Sequence, residues 1–157
     1  MSKYPPCNML VMEAYKKKLN VGDIFGMKYT GFYLFGRIGG IYNPGKYQLY
    51  VVYVYANSSN SIGKIPILDK NLLLVKPCII NRLGFSRGYM KVVNNLPIDD
   101  ENGFPIITYT DGKSFFDSND NKIKRPQGYI VKLSFGNYRT LDDKISKEIG
   151  IPLAPND

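Results

Sequence analysis

The sequence of 157 residues contains no histidine, no tryptophan and only two cysteines. Histidine is the side chain whose unperturbed pKa lies nearest neutrality, so its absence excludes Ser-His-Asp triads, Cys-His pairs and histidine general bases. Cys7 and Cys78 are too few to supply the three or four ligands of a zinc site, and they lack C-x-x-C spacing. These absences favour a binding protein over an enzyme, and we expect no cofactor and no metal.

Long apolar runs are also missing from the chain. No stretch reaches the roughly 18 apolar residues of a membrane span. The apolar segment 9–12 ends at Glu13, which makes it too short for a signal-peptide core, and no small-residue cleavage site follows it. We therefore expect a cytoplasmic protein that does not contact a membrane, with Cys7 and Cys78 as reduced thiols in the core.

The chain has the size of one domain. Its mass is 17.8 kDa and 44% of its residues are hydrophobic, enough for a core without disulfides or a metal. Repeats, low-complexity tracts and linkers are absent from the sequence. We predict a single domain over residues 1–157.

The net charge of +8 is unevenly distributed along the chain. Residues 1–98 carry thirteen Lys or Arg and three acidic residues, whereas residues 99–157 carry eight and ten. A basic first part favours an anionic partner, which can be nucleic acid, an acidic protein or a membrane surface. The only run of three basic residues is Lys16–Lys18, which is too short for a nucleic-acid-binding tail.

The hydrophobic pattern is that of a mainly β chain. Tyr, Val and Ile alternate with other residues and are interrupted by Gly, Pro and Asn at the intervals typical of short strands. We predict strands over residues 22–29, 32–38, 47–56, 72–80, 88–93, 104–109, 113–116 and 128–135. Both faces of the third strand are apolar, so it should be central, and Gly26 and Gly36 should mark bulges or close backbone approaches.

The clearest helix lies at the C-terminus. Thr140 is a suitable N-cap, Gly150 a suitable end, and three apolar residues between them fall on one face. Residues 8–18 suit a second, shorter helix. We therefore expect a β-rich α+β fold: a strongly curved antiparallel sheet or partly open barrel with a C-terminal helix.

Two stretches resemble ligand-binding loops but fail at the defining positions. Residues 40–47 have the G-x-x-x-x-G-K spacing of a phosphate loop, yet Tyr47 replaces the Ser or Thr, and a strand should follow instead of a helix. Asp117, Asn119 and Asn121 match the first calcium-loop positions, but the required Gly and Glu are missing. We interpret the first as a turn between strands and the second as an Asx-rich turn.

Tyrosine is concentrated in one part of the chain. Seven of the thirteen tyrosines lie between residues 29 and 55, interspersed with Lys28, Arg37 and Lys46. Rings beside cations suit a platform for single-stranded nucleic acid, because bases stack on rings while cations contact phosphates. They equally suit a protein interface, and packing of the sheet is the third explanation for about half of them.

The order of four segments resembles the immunity protein 26 family of bacterial polymorphic toxin systems. The segments are residues 21–25 (VGDIF), 33–38 (YLFGRI), 73–80 (LLVKPCII) and 87–98 (RGYMKVVNNLPI). The resemblance covers residues 17–98, and the remainder only in outline. The chain departs from the family at Tyr89 and Met90, near which a tryptophan is common in the family, so it resembles a divergent member.

The resemblance implies a small cytoplasmic protein that protects its producer in interbacterial competition. It would bind and neutralise the C-terminal toxin domain of a secreted effector by occluding its active surface, and it carries over no catalytic residue. The basic first part then predicts an acidic patch on the toxin. As contact residues we expect those placed at strand ends or in loops, namely Lys28, Arg37, Tyr42, Lys46, Arg82 and Arg87.

Two alternatives belong to other functional classes. The first is a nucleic-acid-binding β-barrel protein that uses the basic, Tyr-rich surface. The second is a hydrolase that depends on carboxylates alone and uses Asp99, Asp100 and Glu101, since two carboxylates suffice for glycoside hydrolysis.

Overall fold

The computed structural model describes residues 6–43, 45, 47–98 and 105–155. These residues form ten strands and two helices. In chain order they are β1 (Asp23–Tyr29), β2 (Phe32–Tyr42), β3 (Leu49–Ser59), β4 (Leu73–Ile80), α1 (Leu83–Ser86), β5 (Met90–Asn95), β6 (Ile107–Thr110), β7 (Phe115–Phe116), β8 (Lys122–Ile123), β9 (Tyr129–Lys132), β10 (Phe135–Gly136) and α2 (Tyr138–Ile149).

The strands form two sheets. The large sheet has the order β10-β4-β3-β2-β1-β5 and the small sheet the order β8-β7-β6-β9. All pairings are antiparallel except β10 with β4 and β6 with β9. Neither sheet closes into a barrel over the described residues, so the expected mainly β, partly open antiparallel architecture with a C-terminal helix is confirmed. Neither of the two described helices has the length and apolar character that crossing a membrane requires.

β1 and β2 correspond to the strands predicted over residues 22–29 and 32–38, and they form a hairpin that turns at Thr30 and Gly31. At Gly36 in β2, neighbouring residues approach the backbone so closely that they occupy the space of a side chain. A Cβ atom there would lie 2.4 Å from the ring of Phe25 and 2.7 Å from the carbonyl oxygen of Tyr53. The prediction of a close backbone approach at Gly36 is therefore confirmed.

β3 lies between β2 and β4 and is central, as its two apolar faces predicted. Tyr50, Val52 and Val54 enter the main core, which the helices cover. Leu49 and Val51 project from the opposite face into a second, smaller core shared with the small sheet. β3 thus contributes side chains to both cores, because successive residues of a strand point to opposite faces of the sheet.

α2 packs on the main core through the predicted apolar face, with Leu141 and Ile145 fully buried. It begins one turn earlier than expected. Its N-cap is Asn137, whose side chain accepts the N–H of Arg139 at 2.8 Å, while Thr140 supplies the returning half of the capping box. Gly150 ends the helix in the left-handed conformation at φ 77°, as predicted.

The helix expected over residues 8–18 is wrong. This segment has no regular secondary structure apart from one β-bridge, in which the N–H of Leu10 donates to the carbonyl oxygen of Lys28 at 2.7 Å. The carboxylate of Asp142 binds the backbone N–H groups of Asn8 and Met9. These long-range partners outweigh the weak helical preference of the segment.

The strand expected over residues 128–135 is divided, and a short helix was missed. Its first part is β9 in the small sheet, and its last residue begins β10 in the large sheet. Each pairs in parallel with a strand far away in sequence, which local alternation cannot reveal. α1 lies between the strands that were expected over residues 72–80 and 88–93.

Candidate functional site

A groove runs between the outer edge of β4 and the exposed side of α2, and we call it the β4–α2 groove. It consists of two cavities of about 410 Å³ and 500 Å³. The two cavities share Pro77, Ile130 and Lys144 as lining residues and therefore adjoin. Their size is that of a ligand or peptide site.

The wall formed by α2 follows from helical spacing. Leu141 is fully buried against the core, and the next residues on that side at i+3 and i+6 are Lys144 and Lys147, both exposed. The capping at Asn137 fixes where the helix starts and hence which side chains line the groove. Sequence alone placed this amphipathic face correctly but assigned its lysines no role.

The opposite wall comes from β9 and β10. β10 is held to β4 by the pairing of Phe135 with Ile79 and by the N–H of Asn81, which donates to the carbonyl oxygen of Gly136 at 3.1 Å. Ile130 of β9 and Phe135 are 54% and 60% exposed, so the wall presents unusually large apolar side chains to solvent.

The rim of the groove is strongly basic. Lys76, Lys132, Lys144 and Lys147 line it, all exposed, against the single carboxylate of Glu148. In the described ranges the only ion pair joins Lys91 to Glu13, so no salt bridge neutralises the four groove lysines there.

Three of these lysines come from the C-terminal part of the chain, which carries more acidic than basic residues. Because the net charge of residues 99–157 is negative, the charge count did not point to these three lysines. The usable signals were the spacing of Lys144 and Lys147 on one helix face and the alternation of Ile130 with Lys132 on a strand.

Cys78 lies in the lining of the groove and is a free, half-buried thiol, as is Cys7 elsewhere. Burial raises the pKa of the Cys78 thiol to about 11, although the nearby Lys144 opposes the rise. The pKa of Cys7 is raised to about 12, again chiefly by burial. Both thiols are therefore protonated at neutral pH and are poor nucleophiles.

Arg82 and Arg87, two of the expected contact residues, lie at the ends of α1 and have structural partners. The guanidinium of Arg82 donates to the carbonyl oxygens of Tyr15 and Lys17 at 3.0 and 3.1 Å. Arg87 donates to the Tyr138 hydroxyl at 3.1 Å and lies over its ring, 5.7 Å from the centroid. Both arginines fix other parts of the fold to α1.

Arg37 does not lie where it was expected. It lies inside β2, not at a strand end or in a loop, and only 2% of it is exposed. Its guanidinium donates to the carbonyl oxygen of Leu96. A side chain covered in this way is not available to a partner without rearrangement of the fold.

The remaining expected contact residues lie apart from the groove. Lys28 is half-buried in β1, opposite Tyr33. Tyr42 ends β2 and lines a separate cleft between the two sheets. Lys46 lies outside the described residues. None of the five described candidates lines the β4–α2 groove.

The cleft at Tyr42 has a volume of about 490 Å³ and brings together the two motifs that resembled ligand loops. Gly40 lies there within β2, and a strand follows the loop, as expected for a turn between strands. Asp117 accepts the N–H groups of Asn119 and Asn121, each at 2.9 Å. These bonds lower the pKa of the Asp117 carboxyl and form the expected Asx-rich turn.

No group of three or more metal-ligating side chains occurs among the residues that the structure describes. Asp99, Asp100 and Glu101, the basis of the hydrolase alternative, lie outside those residues.

Most of the tyrosines proposed as a stacking platform lie in the core. Tyr29, Tyr50, Tyr53 and Tyr55 are at most 3% exposed, whereas Tyr47 is 71% exposed. A ring buried in the core cannot stack on a base, so packing of the sheet explains the presence of these four tyrosines.

Comparison of the chain with protein-family models, curated proteins and solved structures gives no match. The β4–α2 groove is thus the main ground for a function, because it combines two adjoining cavities, two large exposed apolar side chains and four lysines that form no salt bridge with the described residues.

Proposed function

We propose that this protein is an immunity protein that binds a bacterial toxin and neutralises it by covering the toxin's active surface. The observation that carries the proposal is the β4–α2 groove, where exposed Ile130 and Phe135 lie beside four lysines. Interfaces of high affinity combine apolar anchors that lose water with charge complementarity around them.

The groove is suited to binding because its walls belong to rigid elements. β4 is a strand of the large sheet, and α2 is capped at both ends. A preformed surface loses little conformational entropy on association, which favours tight complexes. Its lysines would also speed encounter with an acidic surface, since long-range attraction raises association rates.

The resemblance to the immunity protein 26 family supports the choice of a toxin as partner. The four segments that carry the resemblance supply much of β1, β2, β4 and β5, all in the large sheet. In this proposal they provide the framework, and the C-terminal part supplies most of the binding groove.

A nucleic-acid-binding protein is the second candidate, and the groove gives it one supporting observation. Lysines next to the exposed ring of Phe135 match the requirements of single-stranded nucleic acid, in which rings stack on bases. The burial of four tyrosines removes most of the platform on which this candidate otherwise depends.

The deciding experiment uses the protein encoded by the reading frame directly upstream of this chain, where the proposal expects a secreted effector. Its C-terminal domain is expressed in a sensitive host with and without this protein, and growth and co-purification are measured. We expect growth arrest by the domain alone, rescue by this protein and a complex stable to gel filtration. Arrest that persists despite soluble, folded protein contradicts the proposal.

A salt titration separates the second candidate from the first. Binding to a single-stranded oligonucleotide is measured at about 50 mM and about 200 mM salt, because counterion release makes such binding fall steeply between them. No binding at the lower salt concentration rules out the nucleic-acid candidate, whereas steep, salt-sensitive binding supports it.

A further inference from the structure

We propose that the part of the partner that enters the β4–α2 groove is an acidic, extended polypeptide segment that lies along the outer edge of β4. This inference rests on the proposed function in one respect, namely that the partner is a protein. It adds the chemistry and conformation of the segment that is bound.

The charge of the groove selects an acidic occupant. Lys76 and Lys132 stand on the strands, and Lys144 and Lys147 on the helix, so cations line both sides of one channel. Glu148 is the only carboxylate in that lining. A basic or neutral segment would leave these ammonium groups without partners, whereas carboxylates placed between them reach both walls.

The edge of β4 selects an extended conformation. β10 pairs only with the last two residues of β4, Ile79 and Ile80. Over Leu73–Cys78 no strand of the described ranges pairs with this outer edge. An exposed strand edge binds extended segments by strand addition, through main-chain hydrogen bonds.

Pro77 limits where such pairing can occur. Proline has no N–H to donate, and Pro77 lies where the register of β3 and β4 shifts, between Cys78 and Val75. The occupant therefore pairs mainly with residues 73–76, next to Lys76, and receives no N–H donor from Pro77. This also protects β4 from unselective pairing with other chains.

The apolar wall selects an alternating sequence in the occupant. Successive side chains of an extended segment point in opposite directions. With α2 lysines on one side and the exposed Ile130 on the other, acidic residues would face the helix while apolar residues face β9. The expected occupant thus alternates Glu or Asp with Val, Ile or Leu.

The test uses a labelled peptide of alternating Glu and Val as the probe, and a Lys-Val peptide of equal length as its matched control. Binding is measured by fluorescence anisotropy and mapped by amide chemical-shift changes in the full chain. We expect binding of the acidic probe with a Kd below about 1 mM, none of the basic one, and shifts at Val75, Lys76, Ile130, Lys144 and Lys147.

Charge-reversal variants locate the site. Lys144→Glu with Lys147→Glu should weaken binding of the acidic probe by at least about tenfold, since two attractions become repulsions. Lys16→Glu with Lys17→Glu makes the same change of net charge at the only lysine run and should leave binding unchanged. Thermal unfolding of each variant checks that it folds. If Lys144→Glu with Lys147→Glu does not fold, the test is repeated with Lys76→Glu and Lys132→Glu.

Three outcomes would overturn the inference. They are no binding of the acidic probe, equal losses in the groove and control variants, and shifts confined to residues outside the groove. Tighter binding of oligothymidylate than of the acidic peptide at the same residues would instead assign the groove to nucleic acid.

The result is separable from the test of the proposed function. If the chain protects against the toxin and the groove variants protect equally well, the inference fails while the proposed function stands. If the acidic peptide binds in the groove but the chain gives no protection, the proposed function fails while the chemistry of the groove stands.

Discussion

The hydroxyl of Tyr29 in β1 donates a hydrogen bond of 2.8 Å to the carboxylate of Asp142 in α2. Asp142 is fully buried and also accepts the backbone N–H groups of Asn8 and Met9 at 2.8 and 3.0 Å. One carboxylate thus ties the large sheet, the C-terminal helix and the N-terminal segment together. It thereby helps to hold α2 in position, and α2 is one wall of the groove.

Replacing Asp142 by Asn should destabilise the protein. An amide has one acceptor oxygen where the carboxylate has two, so at least one of the buried N–H groups of Asn8 and Met9 loses its acceptor. We expect the free energy of unfolding in urea to fall by about 1–3 kcal/mol. Asp143→Asn is the matched control, because Asp143 is exposed and adjacent. Equal effects of the two substitutions would contradict this role of Asp142.

The same residue predicts a dependence of stability on pH. Burial raises the pKa of the Asp142 carboxyl above its ordinary value, and the hydrogen bonds from Asn8, Tyr29 and Met9 offset only part of the rise. The folded state therefore holds this proton more tightly than the unfolded chain. The stability that this provides is present at low pH and is lost as the pH rises through the raised pKa.

The expected measurement is the difference in free energy of unfolding between the wild type and Asp142→Asn as a function of pH. This difference should shrink as the pH rises from about 4, the ordinary pKa of an Asp carboxyl, through the raised pKa of Asp142. Cys7 is a titratable neighbour with a raised pKa and stays neutral throughout this range. A difference that grows with pH would show that the hydrogen bonds outweigh desolvation.

Gly36→Ala should strongly destabilise the sheet. The added Cβ would lie 2.4 Å from the ring of Phe25 and 2.7 Å from the backbone oxygen of Tyr53, and a backbone atom of a central strand cannot move aside cheaply. Overpacking of this kind costs about 1–3 kcal/mol or more. Gly63→Ala is the control, because its nearest neighbour would be the Ser61 Oγ at 3.7 Å. Thermal unfolding of both variants measures the contrast, and similar melting temperatures would refute it.

Arg82→Ala should expose the lysine run to trypsin. Without the bonds from Arg82 to the carbonyl oxygens of Tyr15 and Lys17, this segment keeps mainly the bond from the Tyr15 N–H to the Phe85 carbonyl oxygen. We expect cleavage within Lys16–Lys18, followed by mass spectrometry, to accelerate about tenfold through local opening. Arg125→Ala removes an exposed arginine and serves as the control. Unchanged cleavage in Arg82→Ala would disprove the anchoring role.

The sequence was sufficient for elements whose signal is local. The alternation over residues 22–56 predicted β1, β2 and β3, because each strand alternates with period two and is bounded by turn residues. Helix α2 was predicted from its apolar face and from Gly150. Only its start was misplaced by one turn, because Asn137 and Thr140 are both good capping residues and their geometry decides between them.

The sequence was insufficient where distant partners decide the outcome. The start of the irregular segment 8–18 is bound by Asp142, and the division between β9 and β10 depends on parallel pairing with other strands. The expected contact residues stay a prediction, but two of them show the same limit of the sequence. Arg37 and Arg87 are cations that the fold uses internally, which a count of charges along the chain cannot show.

The walls of the β4–α2 groove are synthesised at different times, because β4 precedes β10 and α2 in the chain. Lys76 is translated long before Lys144 and Lys147, and β10 docks on β4 only after the small sheet has been made. A nascent chain on the ribosome can therefore pair β1 to β4 while the groove does not yet exist. A partner that recognises the groove can therefore bind only after β10 and α2 have been synthesised and have folded onto β4.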